Sequence, residues 1–238
     1  MPIWTVLLIG GIVLVGAFVQ STIGLGLGLF GAPLIALVEP TLVPTLLLLL
    51  AIPVSTALLW VERGQMDWWA IRWALPATVP GTVVGVWLAT TISARTLGVA
   101  VGVMVLVAVA LTLRTVAVRR TRGTLVTAGL ASGMTGTAVA IGGPPLAIVM
   151  SQRPSREVRA TLSLLFLVGA LLSLAAFALA GALPAGSLVL AAVYLPVLAV
   201  AFVLGTQAHL RIPREGFRLA VLGVCAGSAV ALLVRSVA

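Results

Sequence analysis

The sequence predicts an all-α polytopic membrane protein with two inverted-topology repeats, each a broken Gly/Pro helical hairpin followed by three transmembrane helices. Hydrophobic residues make up 61% of the 238 residues and charged residues 8%, whereas a soluble domain has about 25% charged residues. The mean hydropathy is +1.27, and the arginines stand in short gaps between long apolar segments. Too little charge remains to cover a water-soluble surface, so lipid is the expected solvent.

Ten apolar segments, bounded by charge, proline or glycine, are predicted as helices. They cover about 4–20, 24–38, 41–61, 70–91 and 96–116, and then about 124–137, 141–151, 159–182, 186–208 and 216–235. In each set, two shorter pieces precede three pieces of the roughly 20 residues that a spanning helix needs. The first segment has no charged leader and no cleavage pattern, so we expect it to be retained. One domain over 1–238 is expected, with repeats over 1–118 and 124–238 and an arginine-rich link over 114–123.

Arginine positions predict how these segments cross the membrane. If each short pair enters and leaves on one side, twelve of the 14 basic residues share one face and only Arg95 and Arg235 lie on the other. If each pair is a single crossing, the count becomes seven against seven. The positive-inside rule favours the first arrangement, with both termini outside. The two halves then have opposite orientation, which is typical of transporters.

Two glycine-rich runs interrupt the short pairs. Aligning Pro33 with Pro145 sets "STIGLGLGLFGAPLIAL" against "GMTGTAVAIGGPPLAIV". Irregular backbone in hydrocarbon survives only where it is buried in protein or lines a cavity. Each run is therefore predicted as the break in a discontinuous helix, whose second piece begins at Pro33 in the first half and at Pro144 and Pro145 in the second. Isolated small residues such as Gly81 and Gly85 are instead predicted to allow close helix packing.

A helix that begins inside the membrane directs free N–H groups and about half a positive charge at the break, which is suited to an anion. The two breaks are predicted to face each other near the midplane, and short polar side chains beside them supply further donors. The predicted substrate-binding residues are Gln20, Ser21, Thr22, Gly24, Gly26, Gly28, Gly31 and Pro33, together with Ser132, Thr135, Gly136, Thr137, Gly142, Gly143, Pro144 and Pro145.

Over nearly its whole length the chain resembles the TauE/SafE family of membrane anion transporters. The resemblance rests on a Gly-rich segment followed by Pro-x-Leu in each half, here "GLGLGLFGAPL" and "TGTAVAIGGPPL", and on a threonine in the helix after each, here Thr45 and Thr161. Where the family has three consecutive glycines, this chain has "LFGAP" and "IGGPP". The resemblance implies a transporter of sulfite, sulfonates or related sulfur-containing organic anions.

The expected function is therefore anion transport by alternating access. Arg153 and Arg156 follow the second break, where they either gather anions at the cytoplasmic mouth or only set the topology. No Asp or Glu falls inside a predicted span, and the spans contain no nucleophile with a base, so we expect no enzyme, cofactor or metal. The expected partners are a small anionic substrate and the lipid bilayer, without nucleic acid; a homodimer remains open. The alternatives are an anion or small-solute channel and a structural membrane subunit.

Overall fold

The computed structural model describes residues 1–62, 64–113, 118–208 and 214–237. Over these ranges the chain forms helices and no strand, which confirms the all-α class. The helices are α1 (Ile3–Ile23), α2 (Leu27–Val38), α3 (Thr45–Val61), α4 (Trp68–Thr91), α5 (Ala94–Leu113), α6 (Arg122–Val139), α7 (Gly143–Val149), α8 (Ser155–Leu179), α9 (Ala185–Ala208) and α10 (Arg214–Val237), with a 3₁₀ turn over Pro40–Leu42. Three arginines of the charge count, Arg63, Arg114 and Arg211, lie outside the described residues.

Six of the described helices are long and apolar enough to cross a membrane. They are α1, α4, α8 and α9, together with Arg95–Leu113 of α5 and Leu219–Ser236 of α10. The apolar helices α2 and α3 are shorter, with 12 and 17 residues. The chain is therefore a multi-pass membrane protein.

Two expectations about the first half are wrong. Helix α1 has 21 residues and continues to Ile23, beyond the predicted end near residue 20, because Gln20 and Thr22 near its end are bonded within the protein. The Thr22 hydroxyl donates to the Phe18 carbonyl at 2.8 Å, one turn back along the helix. Pro33 does not begin the second piece either: α2 starts at Leu27, and Pro33 lies inside it.

Helices α4 and α6 pack against each other through glycines, as predicted for Gly81 and Gly85. A Cβ at Gly81 would collide with the Leu130 carbonyl oxygen, and one at Gly85 would lie 2.6 Å from the Met134 carbonyl oxygen. The contact is reciprocal, since a Cβ at Gly129 of α6 would collide with the backbone of α4. The absence of side chains at these positions lets the two backbones touch.

Replacing Gly81 by alanine is expected to destabilise the protein by about 1–3 kcal/mol, because the new methyl group meets backbone rather than a flexible side chain. Gly11→Ala in α1 is the matched control, since nothing lies within 4 Å of a Cβ there. Thermal unfolding of both variants in detergent measures the difference. Equal transition temperatures would contradict backbone contact between α4 and α6.

One end of the molecule gathers arginines around the starts of α4, α6 and α8. Arg120 pairs with the Asp67 carboxylate, and the Asp67 N–H donates to the Thr161 hydroxyl at 2.9 Å. Arg120 also lies over the Trp69 ring, 4.5 Å from its centroid. We call this the arginine-rich end; its described arginines include Arg72, Arg119, Arg120, Arg122, Arg153 and Arg156.

The opposite end joins helix ends that are distant in sequence. Arg95 Nε donates to the Ser236 carbonyl at 2.6 Å and so connects the start of α5 to the end of α10. Arg235 donates to the Leu37 carbonyl near the end of α2. The last four carbonyl groups of a helix receive no hydrogen bond from within that helix. The two arginines that the charge count leaves on this face therefore cap helix ends.

Candidate functional site

A cavity of about 80 Å³ lies between the two helix breaks and is walled by α1–α4 and α6–α8. A single buried water needs only about 10–15 Å³, so this space holds several waters or one small solute. We call it the central cavity. Both breaks contribute to its wall, the first through Leu25 and Gly26 and the second through Ala140, Ile141 and Gly142.

The two breaks touch each other beside the central cavity. A Cβ at Gly28, in the first turn of α2, would collide with the carbonyl oxygen of Ala140. A Cβ at Gly143, where α7 begins, would lie 3.4 Å from Leu25 Cβ. Glycine at position 28 is therefore a steric requirement of the contact between the two halves.

The first break turns at Gly24, which has a left-handed backbone with φ 93°. Its α1 side is tied to α2 by Gln20, whose Oε1 accepts from the Leu27 N–H at 3.1 Å. The first N–H groups of a helix have no acceptor within that helix. Gly28 and Leu29 occupy these positions in α2, and both line the central cavity.

The second break turns at Ala140, which has φ 61°, a left-handed conformation that costs about 1–2 kcal/mol for a residue with a Cβ. Thr135 holds this turn: its hydroxyl donates to the Ile141 carbonyl at 2.7 Å, and its carbonyl accepts the Ile141 N–H at 3.3 Å. Helix α7 then begins with Gly143, Pro144 and Pro145. Since proline has no N–H, the second break offers fewer backbone donors than the first.

Thr82 is a buried polar side chain at the cavity wall that the described part of the protein leaves unsatisfied. Its residue is 3% exposed, and its hydroxyl has no hydrogen-bond partner in the described part of the chain. Three other hydroxyls on the wall are bonded: Thr78 donates to the Leu75 carbonyl at 2.6 Å, and the Thr137 and Ser173 hydroxyls are 2.6 Å apart. The cavity therefore presents a buried donor without an internal acceptor.

Among the described residues, no charged side chain lines the central cavity. Positive partial charge is instead expected from the backbone, chiefly at the start of the 12-residue α2, where a helix carries about half a positive charge. Helix α7, with seven residues, contributes a shorter dipole.

Comparison with known families agrees with this architecture. The family model described as sulfite exporter TauE/SafE matches residues 8–232, nearly the whole chain. The chain belongs to this family. Membership in the TauE/SafE family indicates a membrane anion transporter and agrees with the expectation of a protein without enzymatic activity. No curated protein and no solved structure matches the chain.

Nine of the substrate-binding residues predicted for this TauE/SafE chain line the central cavity. They are Gln20, Gly26, Gly28, Ser132, Gly136, Thr137, Gly142, Gly143 and Pro144. Pro145 is half-buried in α7 outside the wall, and Thr135 is engaged in holding the second break. Thr78, Thr82 and Ser173 were not predicted. The sequence signal that could have identified Thr78 and Thr82 is their spacing of four residues, which places both hydroxyls on one face of α4.

The other predicted residues of the first half pack against neighbouring helices. The Thr22 hydroxyl also donates to the Gly205 carbonyl of α9 at 3.2 Å, and a Cβ at Gly205 would lie 2.7 Å from Ser21 Cβ. A Cβ at Gly31 would lie 2.9 Å from Leu47 Cδ2 of α3. These residues fix α1 and α2 in place rather than lining the central cavity.

The two threonines that the resemblance implied lie away from the central cavity. The Thr45 hydroxyl is 3.1 Å from the Ser187 hydroxyl, where the starts of α3 and α9 meet, and Thr161 accepts from Asp67 at the arginine-rich end. Arg153 lines a different cavity, and Arg156 is exposed.

A buried ion pair beside the first break was missed. Arg159 is 1% exposed, and its Nη2 lies 3.5 Å from Oε1 of Glu62, itself buried at the end of α3. A Cβ at Gly24 would lie 2.6 Å from Arg159 Cγ, so the turn after α1 rests on the arginine stem. The charge pattern placed Arg159 in a loop. It stands inside α8 because that helix begins at Ser155, four residues before the predicted start.

Proposed function

We propose that the protein carries a small sulfur oxyanion, sulfite or an organic sulfonate, across a bacterial inner membrane by alternating access, and that the central cavity holds the anion. The observation that carries this proposal is the buried Thr82 hydroxyl, which has no partner among the described residues. Leaving a buried polar group unsatisfied costs about 1–3 kcal/mol. An oxyanion oxygen in the cavity is the acceptor that this hydroxyl needs.

Four hydrogen-bond donors are available where such an anion would bind. The first-turn N–H groups of Gly28 and Leu29 and the hydroxyls of Thr82 and Ser132 all belong to the cavity wall. Ionised acceptors form hydrogen bonds about twice as strong as neutral ones, so uncharged donors suffice to hold an oxyanion. The absence of a carboxylate from the described wall also removes the main source of repulsion.

The proposal includes two inverted repeats, 1–118 and 124–238, within one domain. Helix α1 runs parallel to α9, since the Tyr194 hydroxyl donates to the Val6 carbonyl at 2.9 Å and Thr22 reaches Gly205 farther along both helices. The start of α1 and the last residues of α2 then both lie opposite the arginine-rich end. This placement supports a hairpin in which α1 and α2 enter and leave the membrane on the same side.

The second pair of pieces, α6 and α7, is proposed as a hairpin of opposite sense. The start of α6 and the start of α8, which follows α7 closely, both meet Asp67 at the arginine-rich end. With that end in the cytoplasm, as the positive-inside rule favours, both termini lie outside. A protein whose two halves present opposite hairpins to one cavity has the inverted-repeat symmetry found in many alternating-access transporters.

Thr82→Val is expected to weaken sulfite binding about 10- to 100-fold, the loss of one hydrogen bond to a charged group, because the substitution keeps the shape and removes the hydroxyl. The control is Ser55→Ala, which removes another buried hydroxyl without a partner among the described residues, but one outside the cavity wall. Saturable sulfite flux into vesicles that contain the purified protein, with the concentration for half-maximal flux, measures both.

Equal effects of the two substitutions on sulfite flux would show that the Thr82 hydroxyl does not bind the anion. Flux that does not saturate with sulfite would favour the channel alternative. Folded protein that neither transports nor binds sulfite, sulfonates or other small anions would favour a structural subunit.

A further inference from the structure

A second cavity, of about 360 Å³, lies at the arginine-rich end on the other side of the first break. Helices α1, α2, α5, α7, α8 and α10 contribute to its wall, together with the α7–α8 connection, which supplies Ser151, Gln152 and Arg153. We call it the vestibule. It is larger than the central cavity and polar where the α7–α8 connection lines it.

The vestibule and the central cavity share part of one wall. Leu25, Gly26 and Leu29 line both spaces, so the first break is the partition between them. Leu25 is the side chain best placed to close it: the residue is half-buried, packs against hydrophobic clusters on both sides and reaches Gly143 of the second break.

Arg153 is the charged residue among the described side chains that line the vestibule. Its Nη2 and Nε lie 2.7 Å from Glu157 Oε1, and the Arg153 side chain remains 42% exposed. The Glu157 carboxylate raises the pKa of the Arg153 guanidinium, which keeps that charge through any assay pH. Arg156 lies three residues farther along, is exposed and does not line the vestibule.

We propose that the vestibule is a second anion subsite, through which a small oxyanion passes between water at the arginine-rich end and the central cavity, with Arg153 attracting the anion and Leu25 closing the partition. This inference rests on the proposed function of the central cavity. In this proposal Arg153 attracts the anion in addition to setting the membrane topology. The Glu157 carboxylate beside it weakens that attraction.

The chain supplies its own matched variants for a charge test. Ala147 lines the vestibule on α7, and the one native cysteine, Cys225, is buried. Ala147→Cys in a Cys225→Ala background gives a labelling site for methanethiosulfonate reagents of either charge. The measured quantity is the ratio of the labelling rate with the anionic reagent to the rate with the cationic reagent.

Arg153→Gln is expected to lower this ratio about fivefold, because the loss of a unit charge about 8 Å away in water slows the anionic reagent and speeds the cationic reagent by about twofold each. Arg156→Gln should leave it within a factor of about two, because that side chain lies outside the vestibule. Glu157→Gln should raise it, since the carboxylate beside Arg153 is gone. In the same background, Leu25→Ala is expected to raise the rate of sulfite flux by widening the partition.

An unlabelled Ala147→Cys, or equal ratios for the Arg153 and Arg156 variants, would overturn the vestibule proposal. Labelling depends on the vestibule alone and sulfite flux on the central cavity. The expected labelling ratios combined with an unchanged Thr82→Val flux would therefore retain the vestibule and reject the proposed central site.

Discussion

Replacing Gly28 by alanine is expected to abolish transport and to destabilise the protein by about 3 kcal/mol, the upper range for overpacking. The added Cβ would overlap the carbonyl oxygen of Ala140. Neither group can move away easily, because Gly28 is in the first turn of α2 and Ala140 is the strained turn after α6. Relief of the overlap must separate the two breaks, and the wall that both of them form would be lost.

Gly169→Ala is the matched control for this experiment. Gly169 also belongs to the wall of the central cavity, but nothing lies within 4 Å of a Cβ there. Both variants remove a glycine and add one methyl group, so only the contact between the breaks distinguishes them. Thermal unfolding and sulfite flux in vesicles are the measurements. A Gly28→Ala protein as stable and as active as Gly169→Ala would show that the breaks need not touch.

Glu62→Gln is expected to destabilise the protein by about 3–5 kcal/mol, the range for removing one partner of a buried ion pair. The substitution keeps the shape of the side chain and removes the carboxylate that faces Arg159. Because the Arg159 stem supports Gly24, the loss should also loosen the first break.

Glu157→Gln tests the same chemical change on an exposed pair at the same end of the molecule. Glu157 pairs with Arg153 one helical turn away, and such pairs contribute less than about 1 kcal/mol. Chemical or thermal unfolding of the two variants gives the difference. Similar losses for both would mean that burial does not strengthen the Glu62–Arg159 interaction.

The ten helices could be predicted from the sequence because hydrocarbon imposes simple requirements. Apolar runs interrupted by arginine, proline or glycine mark the spans, and caps such as Asp67, which accepts from the Ala70 N–H at 3.0 Å, fix where a helix starts. The alignment of the first half with the second half was harder to predict. Aligning Pro33 with Pro145 gives an offset of 112 residues, whereas the turns at Gly24 and Ala140 differ by 116. The prolines therefore stand about one helical turn apart relative to the breaks.

The parts of the candidate site that the backbone forms could be predicted from the sequence. The parts that depend on contacts between distant helices could not. Glycine density located the breaks, since such runs are unfavourable in a continuous helix. The role of Thr82 could not be predicted, because most hydroxyls in spans bond to their own helix, as Thr78 does to Leu75. Only packing shows that Thr82 lacks such a bond. Arg159 escaped prediction for the same reason, since its carboxylate partner comes from a distant helix.

The uncharged wall of the central cavity has a consequence for the energetics of carriage. In the proposed alternating-access cycle, and with no ionised side chain on the described wall, the net charge that the cavity carries across the membrane is that of the solute. Each such charge changes energy by about 2.3 kcal/mol per 100 mV of membrane voltage. In the proposed cycle, voltage therefore acts on the step in which the loaded protein changes sides and does not act on the return of the empty protein.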